Sequence, residues 1–307
     1  MQKSPLVYVV VLLYNGKKWM DKCLNSILSS DYQNFCLLVV DNASSDDSYD
    51  YVKKNFTGVD LIRNSKNCGT AEGNNIGCRY ALKKGAEFIF LLNQDTYIAK
   101  GCITELVKLA EGDKSLGIIV PAQYDYEKTE KLSPTYKKFV DAAEDEDRSI
   151  DYVRTKKIIG AGMFLPKGFI EKVGLFDPLY FMYAEENDLV RRGYYHGFKT
   201  VFSLKGVIFH WDHLIRSDNP KSRALFDKNQ LIEALKDPRH HIIYNLFAYY
   251  TKLLREEIRF AGPLEGFKQL LRFIKRQKSC VFLLPQIISK RNKEKRFPCY
   301  LISEEHQ

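Results

Sequence analysis

The sequence has no pair of cysteines in C-x-x-C spacing, although it contains seven cysteines among 307 residues. The positions of the cysteines also lack the spacing of zinc ligands. Several cysteines lie in apolar runs, where a free thiol behaves as a small hydrophobic side chain. We therefore expect no zinc-ligand set among them, and the pattern is typical of a protein of the reducing cytoplasm.

Long apolar runs are missing as well. No stretch reaches the roughly 18 apolar residues that cross a membrane, and the run at 280–288 is interrupted by Pro285. The run Leu6–Leu13 has only the length of a strand and lacks the small-residue cleavage site of a signal peptide. We therefore expect a cytoplasmic chain without a membrane span.

Net charge is nearly absent from most of the chain. The total is +9, whereas residues 251–300 alone contain 13 Lys or Arg and four Asp or Glu. The remainder is close to neutral, which argues against nucleic-acid binding by the main domain. Basic residues confined to one part of the chain indicate contact between that part and an anionic surface.

Short apolar runs alternate with helical patterns over the first 120 residues. The predicted strands are Val7–Leu13, Phe35–Val40, Val59–Ile62, Phe88–Leu92 and Leu116–Val120. Strands that alternate with helices predict an α/β fold with a mostly parallel central sheet flanked by helices. Residues 122–157 contain few apolar residues, and we expect a long surface loop there. Regular structure is expected to resume at 158–166, followed by helices near 167–173 and 186–196 and short strands at 200–203 and 207–210.

Polar residues follow the predicted strands where each strand ends. In open α/β sheets, ligands bind at these carboxyl ends. An Asp there can accept a hydrogen bond from the imide N–H of uracil or thymine, and Asn or Gly at a helix start lets backbone N–H groups approach a ligand. Each cluster alone is also ordinary turn chemistry, and their recurrence at successive strands favours a ligand site. The candidate nucleotide-binding residues are Tyr14, Asn15, Asp41, Asn42, Asn67, Gly69, Gly73, Asn74, Asn93 and Asp95.

Two further clusters carry ionisable groups. Glu185, Glu186 and Asp188 lie at the start of a predicted helix, where the helix dipole favours acids, so capping alone would explain them. An apolar run leads directly into them, however, and a carboxyl group in such surroundings can act as a general base. The second cluster, residues 210–213, reads His-Trp-Asp-His and fits either a structural role or contact with a metal or phosphate.

In their order along the chain, these motifs resemble those of the family 2 glycosyltransferases of GT-A fold, especially the rhamnosyltransferase-like branch of bacterial polysaccharide synthesis. The resemblance covers about residues 5–215. The motifs that carry it are Val9–Gly16, Val39–Asp46, Asn67-x-Gly69 with Gly73–Gly77, Leu91–Thr96, Gly160–Leu165, Val173–Asp177 and Glu185–Leu189.

The resemblance implies transfer of rhamnose or a similar sugar from a UDP- or dTDP-sugar to a hydroxyl group, with inversion at the anomeric carbon. A divalent cation, Mg²⁺ or Mn²⁺, would stabilise the charge that leaves with the nucleotide. Its predicted ligands are Asp95, Asn93 and His210. Asn93 stands where the family has the first Asp of its metal motif. The catalytic candidates are Glu186, Glu185 and Asp188, and Glu186 takes the place of the family's catalytic Asp.

We predict a GT-A domain at 1–222 and a basic helical C-terminal extension at 223–307. Within the first domain, residues 1–120 would bind the nucleotide-sugar and residues 121–222 the acceptor, a glycan or lipid-linked sugar. Two arrangements of the extension remain open. In the first, its apolar face packs on the sheet domain or on a second subunit of a homodimer. In the second, residues 242–296 lie on the inner leaflet of the membrane. The protein would then be peripheral on the cytoplasmic face.

Two other functions remain open on the sequence. A sugar nucleotidyltransferase also binds nucleotides on an α/β sheet, but it needs a Gly-rich loop with Arg and Lys after the first strand, which residues 14–18 poorly match. A catalytically degenerate transferase, acting as a binding or scaffold subunit, would fit the changes at Asn93 and Glu186.

Overall fold

The computed structural model describes residues 4–143, 148–211, 220–277, 279–296 and 298–301. The chain divides into two compact units. The first, here called the sheet unit, comprises residues 1–181, 185–213 and 298–307. The second, here called the helical unit, comprises residues 182–184 and 214–297. The domain division after residue 222 stays a prediction.

The sheet unit contains strands and helices in alternation. They are β1 (Val7–Leu13), α1 (Lys17–Leu28), β2 (Phe35–Asp41), α2 (Ser48–Asn55), β3 (Asp60–Arg63), α3 (Gly69–Lys83), β4 (Phe88–Asn93), β5 (Thr96–Ile98), α4 (Cys102–Gly112), β6 (Leu116–Asp125), α5 (Pro134–Asp141), β7 (Tyr152–Arg154), β8 (Gly162–Pro166), α6 (Lys167–Val173), α7 (Glu185–Tyr195) and β9 (Lys199–His210). The helical unit contains α8 (Pro220–Lys236), α9 (Ile242–Ala261), α10 (Pro263–Arg276) and α11 (Ser279–Glu294).

The strands form one sheet in the order β3-β2-β1-β4-β8-β6-β9-β5, with β7 paired to β9. Among the nine strands of the described residues, β1, β2, β3, β4, β6 and β9 run in one direction. The mostly parallel α/β sheet predicted from the sequence is therefore confirmed. Its central strands are almost wholly apolar and buried, as parallel strands covered on both faces must be.

The direction in which the chain winds reverses between β1 and β4. From β1 the chain adds β2 and then β3 on one side, whereas β4 pairs with β1 on the other side. Such a reversal leaves a crevice outside the carboxyl ends of the two strands, where ligands of open α/β sheets bind. The fold thus places the loops after β1, β2 and β4 at one edge of the sheet.

Helix α3 lies unusually close to β1 because two glycines face that strand. A Cβ atom on Gly73 would be 2.6 Å from Leu12 Cδ1, and one on Gly77 would be 2.4 Å from Val10 Cγ1. Both distances are shorter than real Cβ contacts, so a side chain at either position would force the facing side chain of β1 or the helix itself to shift. Gly73 therefore has a packing role, and its contact with a donor stays a prediction.

The expectation of one surface loop over 122–157 is wrong. Strand β6 extends to Asp125, α5 begins at Pro134 with the Ser133 side chain accepting from the Tyr136 N–H, and β7 pairs with β9. The segment does carry helix signals, with Ser133 before Pro134 and apolar residues Tyr136, Phe139 and Val140 at helical spacing, but α5 is only eight residues long. Of this segment, residues 144–147 lie outside the described residues.

Strand β9 also differs from the prediction of two short strands at 200–203 and 207–210. It is a single strand of 12 residues. Its register against β6 shifts between Val120 and Ala122. Strand β5, which was not predicted, pairs with the last residues of β9, with Thr96 opposite His210. This pairing brings the segment after β4 beside the end of β9.

The helical unit is held by polar as well as apolar contacts. Lys236 Nζ and Glu294 Oε1 form a buried ion pair 2.6 Å long, and helices α9 and α10 pack against each other. Asn229 Nδ2 donates to the carbonyl groups of Met182 and Tyr183 at 2.9 and 2.8 Å. None of the described helices is both long enough and apolar enough to cross a membrane.

All seven cysteines are free thiols in the structure. Burial raises the pKa of the Cys78 thiol to about 12 and that of the Cys23 thiol further still. Since the thiolate is the reactive form, these groups are chemically inert. They act as small apolar side chains of the core, as the sequence predicted.

Candidate active site

The loops after β1 and β4 are joined at the crevice by one side chain. The Tyr14 N–H donates to Gln94 Oε1 at 2.9 Å, and Gln94 Nε2 donates to the Tyr14 carbonyl at 3.2 Å. The amide of Gln94 thus continues the pairing of β1 with β4 beyond the end of the sheet. Tyr14 keeps an exposed ring at this edge.

Asn15 joins the loop after β1 to the loop after β2. Its backbone φ is 48°, in the left-handed region where Asn is tolerated. Asn15 Oδ1 accepts from the Ser45 N–H at 2.8 Å, and the Asn15 N–H donates to Ser44 Oγ at 2.9 Å. Asn15 therefore orders two neighbouring loops of the crevice.

Asp41 ends β2 with a carboxylate that is fully buried. Its oxygens accept from the Ser44 N–H at 3.2 and 3.3 Å, and Oδ2 lies 3.3 Å from Arg63 Nε. The Arg63 side chain is 45% exposed and its guanidinium lies 4.5 Å from the centre of the Tyr49 ring. The sequence reasoning missed Arg63. The signal was present, since Arg63 ends β3 directly opposite Asp41.

Asn42 organises the loop that leads into α3. Its Nδ2 donates to Asn67 Oδ1 at 3.0 Å and to the Gly69 carbonyl at 3.1 Å. Its Oδ1 accepts from Asn64 Nδ2 and from the Cys68 N–H, both at 3.1 Å. Because these bonds use both donors and the oxygen of the amide, Asn42 orders the donor-side loop. A direct contact of Asn42 or Asn67 with a nucleotide stays a prediction.

Gly69 begins α3 in a conformation that only glycine adopts without strain. Its φ is +82°, and a Cβ atom there would lie 2.2 Å from the Phe181 carbonyl oxygen. The next residue, Thr70, donates its N–H to the same carbonyl at 2.7 Å. One turn later, Asn74 is partly exposed, whereas Asn75 is buried and pairs with the backbone of Phe176 at 2.9 and 3.0 Å.

Asp95 and His210 meet through the pairing of β5 with β9. Asp95 Oδ1 lies 3.6 Å from His210 Nε2, and the Trp211 N–H donates to the Asp95 carbonyl at 3.1 Å. Asn93 is partly exposed at the end of β4, with its N–H bonded to the Ala161 carbonyl. The structure therefore brings together the carboxylate and the imidazole that were predicted to hold a metal. His213, which belongs to the same motif, lies outside the described residues.

The Asp95–His210 pair fits a divalent cation that takes only a few of its ligands from the protein. Within the described ranges, no set of three or more His, Cys, Asp or Glu side chains is placed to hold a metal ion. Mg²⁺ commonly takes one or two carboxylates and completes its shell with substrate phosphates and water. Mn²⁺ likewise prefers carboxylate, carbonyl and water oxygens, so the Asp95 carboxylate is the main ligand that this pair offers. The residues present thus fit a cation that arrives with a diphosphate.

The three acids of α7 have different surroundings. Glu185 is buried, while Glu186 is partly exposed and lies against Gly160, where a Cβ would be 4.0 Å from the Cβ and Cγ of Glu186. Asp188 is fully buried, with Oδ1 at 2.7 Å from Arg191 and Oδ2 at 2.9 Å from Arg192. Of the three acids, the partly exposed Glu186 is the one most accessible to an acceptor.

The backbone directly before α7 is strained. Tyr183 and Ala184 have φ values of 73° and 68°, although neither is glycine. Each left-handed residue of this kind costs about 1–2 kcal/mol, and such strain persists only where the surroundings hold it. Asn229 holds two of the carbonyl groups in this turn.

We expect Asp188→Asn to lower the free energy of unfolding by about 3–5 kcal/mol, because a neutral amide leaves two buried guanidinium groups without their counter-charge. Arg192 is almost fully buried and also donates to the carbonyl groups of Val173 and Leu175. Urea unfolding measures the change. Asp50→Asn, on the exposed face of α2, is the matched control and should change stability by less than about 0.5 kcal/mol. Equal effects of the two changes would contradict a structural role for Asp188.

A family model described as "Glycosyl transferase family 2" matches residues 8–171. That match covers more than half of the chain. The chain belongs to glycosyltransferase family 2. The family and the enzyme class predicted from the motifs are therefore confirmed, and the alternative of a sugar nucleotidyltransferase is set aside.

One curated relative of this family 2 glycosyltransferase is a dTDP-rhamnosyl transferase, RfbF, from Shigella flexneri. It is 36% identical over 101 residues, which are 33% of each chain. The first curated relatives that the chain matches are covered over less than two thirds of their own length. Another curated relative is the UDP-Glc:alpha-D-GlcNAc-diphosphoundecaprenol beta-1,3-glucosyltransferase WfaP from Escherichia coli, which is 28% identical over 110 residues, 36% of this chain and 43% of that one.

Solved structures confirm the GT-A fold. Staphylococcus aureus TarS 1–349 in complex with UDP has a TM-score of 0.60 at 15% identity, covering 94% of this chain and 87% of that one. The mannosyltransferase PcManGT from Pyrobaculum calidifontis, solved with GDP-Man and Mn²⁺, has a TM-score of 0.61 at 16% identity, covering 98% of this chain and 86% of that one. At these identities the likeness extends to the fold alone.

Proposed function

We propose that this family 2 glycosyltransferase moves rhamnose or a similar sugar from a UDP- or dTDP-sugar to a hydroxyl of a glycan or lipid-linked acceptor in bacterial surface polysaccharide synthesis, with inversion. One observation carries the proposal. The loop after β1, the Asp41–Arg63 pair and the Asp95–His210 pair all lie at one edge of the sheet, the edge at which the strand order reverses.

The nucleotide end of the donor would bind over β1, β2 and β3. Arg63 offers an exposed guanidinium whose position is set by Asp41 and Tyr49, and it can donate to the carbonyl oxygens of a pyrimidine. The Asp41 carboxylate is enclosed by Ser44 and Arg63, so its direct contact with the base requires this pair to open. Tyr14 supplies an exposed ring beside them.

The diphosphate would lie at the ends of β4 and β9. Asp95 and His210, with Asn93 beside them, are the residues that would hold Mg²⁺ or Mn²⁺, which supplies positive charge to the departing diphosphate when bound. At the start of α3 the Phe181 carbonyl fills the space beside Gly69 and accepts from the Thr70 N–H, so a contact of Gly69 with the donor stays a prediction. These residues orient the donor and leave its anomeric carbon toward the acceptor side.

The acceptor hydroxyl would be deprotonated by a carboxylate of α7. In a single displacement, the acceptor oxygen forms its bond to the anomeric carbon as the bond to the diphosphate oxygen breaks, and the hydroxyl proton passes to the base. We assign the base to Glu186, since it is more exposed than Glu185 and since the Asp188 carboxylate is bound to two arginines. Asp188 then positions the helix that carries the base.

A nucleotide-sugar screen tests this function. Donor binding should raise the melting temperature, because a ligand that binds only the folded state stabilises it by mass action. At a donor concentration 100 times the dissociation constant, the free energy of unfolding rises by about 2.7 kcal/mol. We expect UDP- or dTDP-sugars with Mn²⁺ to stabilise the protein and to release nucleotide in the presence of acceptor. ADP-ribose serves as the matched control diphosphate. Stabilisation without any turnover, toward acceptors or water, would favour the degenerate scaffold subunit.

The basic part of the helical unit suggests where the acceptor is met. Helix α10 carries an exposed apolar stripe, with Leu264, Phe267, Leu271 and Ile274 exposed to 73%, 52%, 52% and 40%. Their spacing of three and four residues places them on one face. Lys268, Arg272 and Lys275 are also exposed and lie directly beside this stripe in the helical sequence. An apolar stripe flanked by cations is typical of a helix that lies in the interface of an anionic membrane.

We expect the protein to co-sediment with vesicles that contain anionic lipid, and to bind less as salt is raised, because each basic residue near such a surface contributes about 1 kcal/mol. The variant Lys268→Glu/Arg272→Glu/Lys275→Glu should lose this binding. The variant Lys53→Glu/Lys114→Glu/Lys156→Glu, with the same net charge but changes on exposed sites of the sheet unit, should keep it. Equal loss in both variants, or no binding, would contradict the membrane contact. Concentration-dependent dimers sensitive to Leu264→Ser would favour a second subunit instead.

A further inference from the structure

Four aromatic rings form a cluster that the roles assigned above do not use. The aromatic cluster consists of Trp19, Tyr97, Tyr126 and Trp211. The ring centres of Trp19 and Trp211 are 5.2 Å apart, and those of Tyr97 and Tyr126 are 5.0 Å apart. Tyr126 lies edge-on to both Trp19 and Trp211, at 5.3 and 5.7 Å. All four residues are partly exposed, so the cluster reaches the surface.

The cluster adjoins the Asp95–His210 pair. Trp211 directly follows His210 and donates its N–H to the Asp95 carbonyl, while Tyr97 lies two residues after Asp95. Tyr126 follows the last residue of β6, and Trp19 lies in the first turn of α1, directly after the crevice loop. Four separate segments thus bring aromatic rings to the same edge of the sheet.

Two lysines of α1 cover part of the cluster. Lys22 Nζ lies 3.8 Å from the centre of the Tyr97 ring and 4.1 Å from that of Tyr126, and Lys18 Nζ lies 4.5 Å from the Trp19 ring. Burial against its surroundings lowers the pKa of Lys22 and raises the pKa of Tyr126 to about 12. The two lysines are one helical turn apart, so both ammonium groups present N–H donors along one side of the rings.

We infer that the aromatic cluster is a binding site for a pyranose ring of the acceptor. The C–H groups on one face of a pyranose carry partial positive charge and match the negative face of an aromatic ring. Its hydroxyl oxygens can accept hydrogen bonds from Lys18 and Lys22. The inference rests on the proposed function, since it names the acceptor subsite of that same transfer.

The position of the cluster favours the acceptor over the nucleotide. Asp41, Arg63 and Tyr49 lie at β2 and β3, on one side of β1. The cluster residues adjoin β5, β6 and β9, which lie beyond β4 in the sheet order. Asp95 links β4 to β5 and His210 ends β9, so this pair lies on the same side of β1 as the cluster and adjoins it. A donor with its base at β2 and β3 and its diphosphate at Asp95 therefore leaves the aromatic cluster for the second substrate.

The sequence supplies a direct reporter for this site. Trp19 and Trp211 are the two tryptophans of the chain, and both belong to the cluster. The full-length protein can be titrated with the methyl glycosides of glucose, N-acetylglucosamine and rhamnose, and with glycerol as a polyol without a pyranose ring. We expect a saturable change in tryptophan emission with at least one methyl glycoside and none with glycerol. Unchanged emission with all three glycosides up to roughly 100 mM would overturn the inference.

Variants locate the site. Trp211→Ala, with Trp19 as reporter, should raise the half-saturating concentration by about tenfold, and Lys22→Ala, on an exposed position, should raise it severalfold. Tyr195→Ala removes a comparably exposed ring elsewhere in the sheet unit and should leave it unchanged. If neither Trp211→Ala nor Lys22→Ala changes the half-saturating concentration, the sugar binds elsewhere and the inference is overturned. If Trp211→Ala does not fold, Lys22→Ala decides.

The donor screen on the same preparation separates this inference from the proposed function. Donors that stabilise the protein while glycosides leave the emission unchanged contradict the aromatic site and leave the transfer standing. Glycosides that change the emission while no donor binds contradict the transfer and support a sugar site. In kinetics, Trp211→Ala should raise the KM for a glycan acceptor about tenfold, with a smaller change in kcat.

Discussion

Glu186→Gln is expected to lower kcat by about 10²–10⁴-fold, the range that general-base catalysis typically contributes. The amide keeps the size and the hydrogen-bonding reach of the side chain but cannot take the acceptor proton. Because Glu186 lies on α7 and is not one of the residues assigned to the nucleotide, donor binding should survive. Initial rates with saturating donor and acceptor measure the change, and thermal shift with donor alone verifies that binding is intact.

Two further variants make this result specific. Glu185→Gln should lower kcat less than Glu186→Gln, since Glu185 is buried whereas Glu186 is partly exposed. A larger loss in Glu185→Gln would move the base by one residue. Glu171→Gln, on the exposed face of α6, is the matched control and should keep the full rate. A full rate in both α7 variants would exclude a carboxylate base on this helix.

Asp95→Ala is expected to abolish turnover that depends on a divalent cation while the fold stays intact. The carboxylate is partly exposed and adjoins one imidazole, so its loss removes the one charged ligand of the predicted set. Asn93→Ala should cost less, because a neutral ligand contributes less charge stabilisation. Rates measured over a Mn²⁺ titration distinguish weakened metal binding, which more Mn²⁺ restores, from a loss that it does not.

Removal of the metal provides the counterpart to this variant. Excess chelator should abolish the activity of the unaltered protein, and added Mn²⁺ or Mg²⁺ should restore it. Asp50→Ala, an exposed acid on α2, serves as control and should respond to chelator as the unaltered protein does. Activity that neither chelator nor Asp95→Ala changes would rule out the metal-assisted mechanism.

The parallel half of the fold could be predicted because short sequence patterns determine its strands and turns. Strands such as Val7–Leu13 are apolar on both faces, and each is followed by polar residues that turn the chain. The prediction failed at 122–157, where α5 depends on the cap from Ser133 and β7 on pairing with β9. Strand β7 has three residues and α5 has eight, so the apolar spacing within each covers too few residues to predict it.

The candidate site could be predicted as a set of motifs but not as a set of contacts. The meeting of Asp95 with His210 depends on the antiparallel pairing of β5, a strand of three residues, with β9. The partners of Asp41 and Asp188 are arginines that the motif reading did not weigh. The aromatic cluster escaped notice for the same reason, since its rings come from four segments that are distant in sequence.

Residues near the end of the described chain belong to the sheet unit, although the helical unit precedes them. Cys299 bridges to Gly174, where a Cβ would lie 2.0 Å from the Cys299 carbonyl oxygen, and Tyr300 and Leu301 pack against the core. During synthesis, a ribosome must therefore make residues 214–297 before this last segment of the sheet unit exists. The contacts of this last segment with the sheet unit form slowly, because a long intervening chain must be closed into a loop at a cost in entropy. The nascent sheet unit therefore stays incomplete while the helical unit emerges.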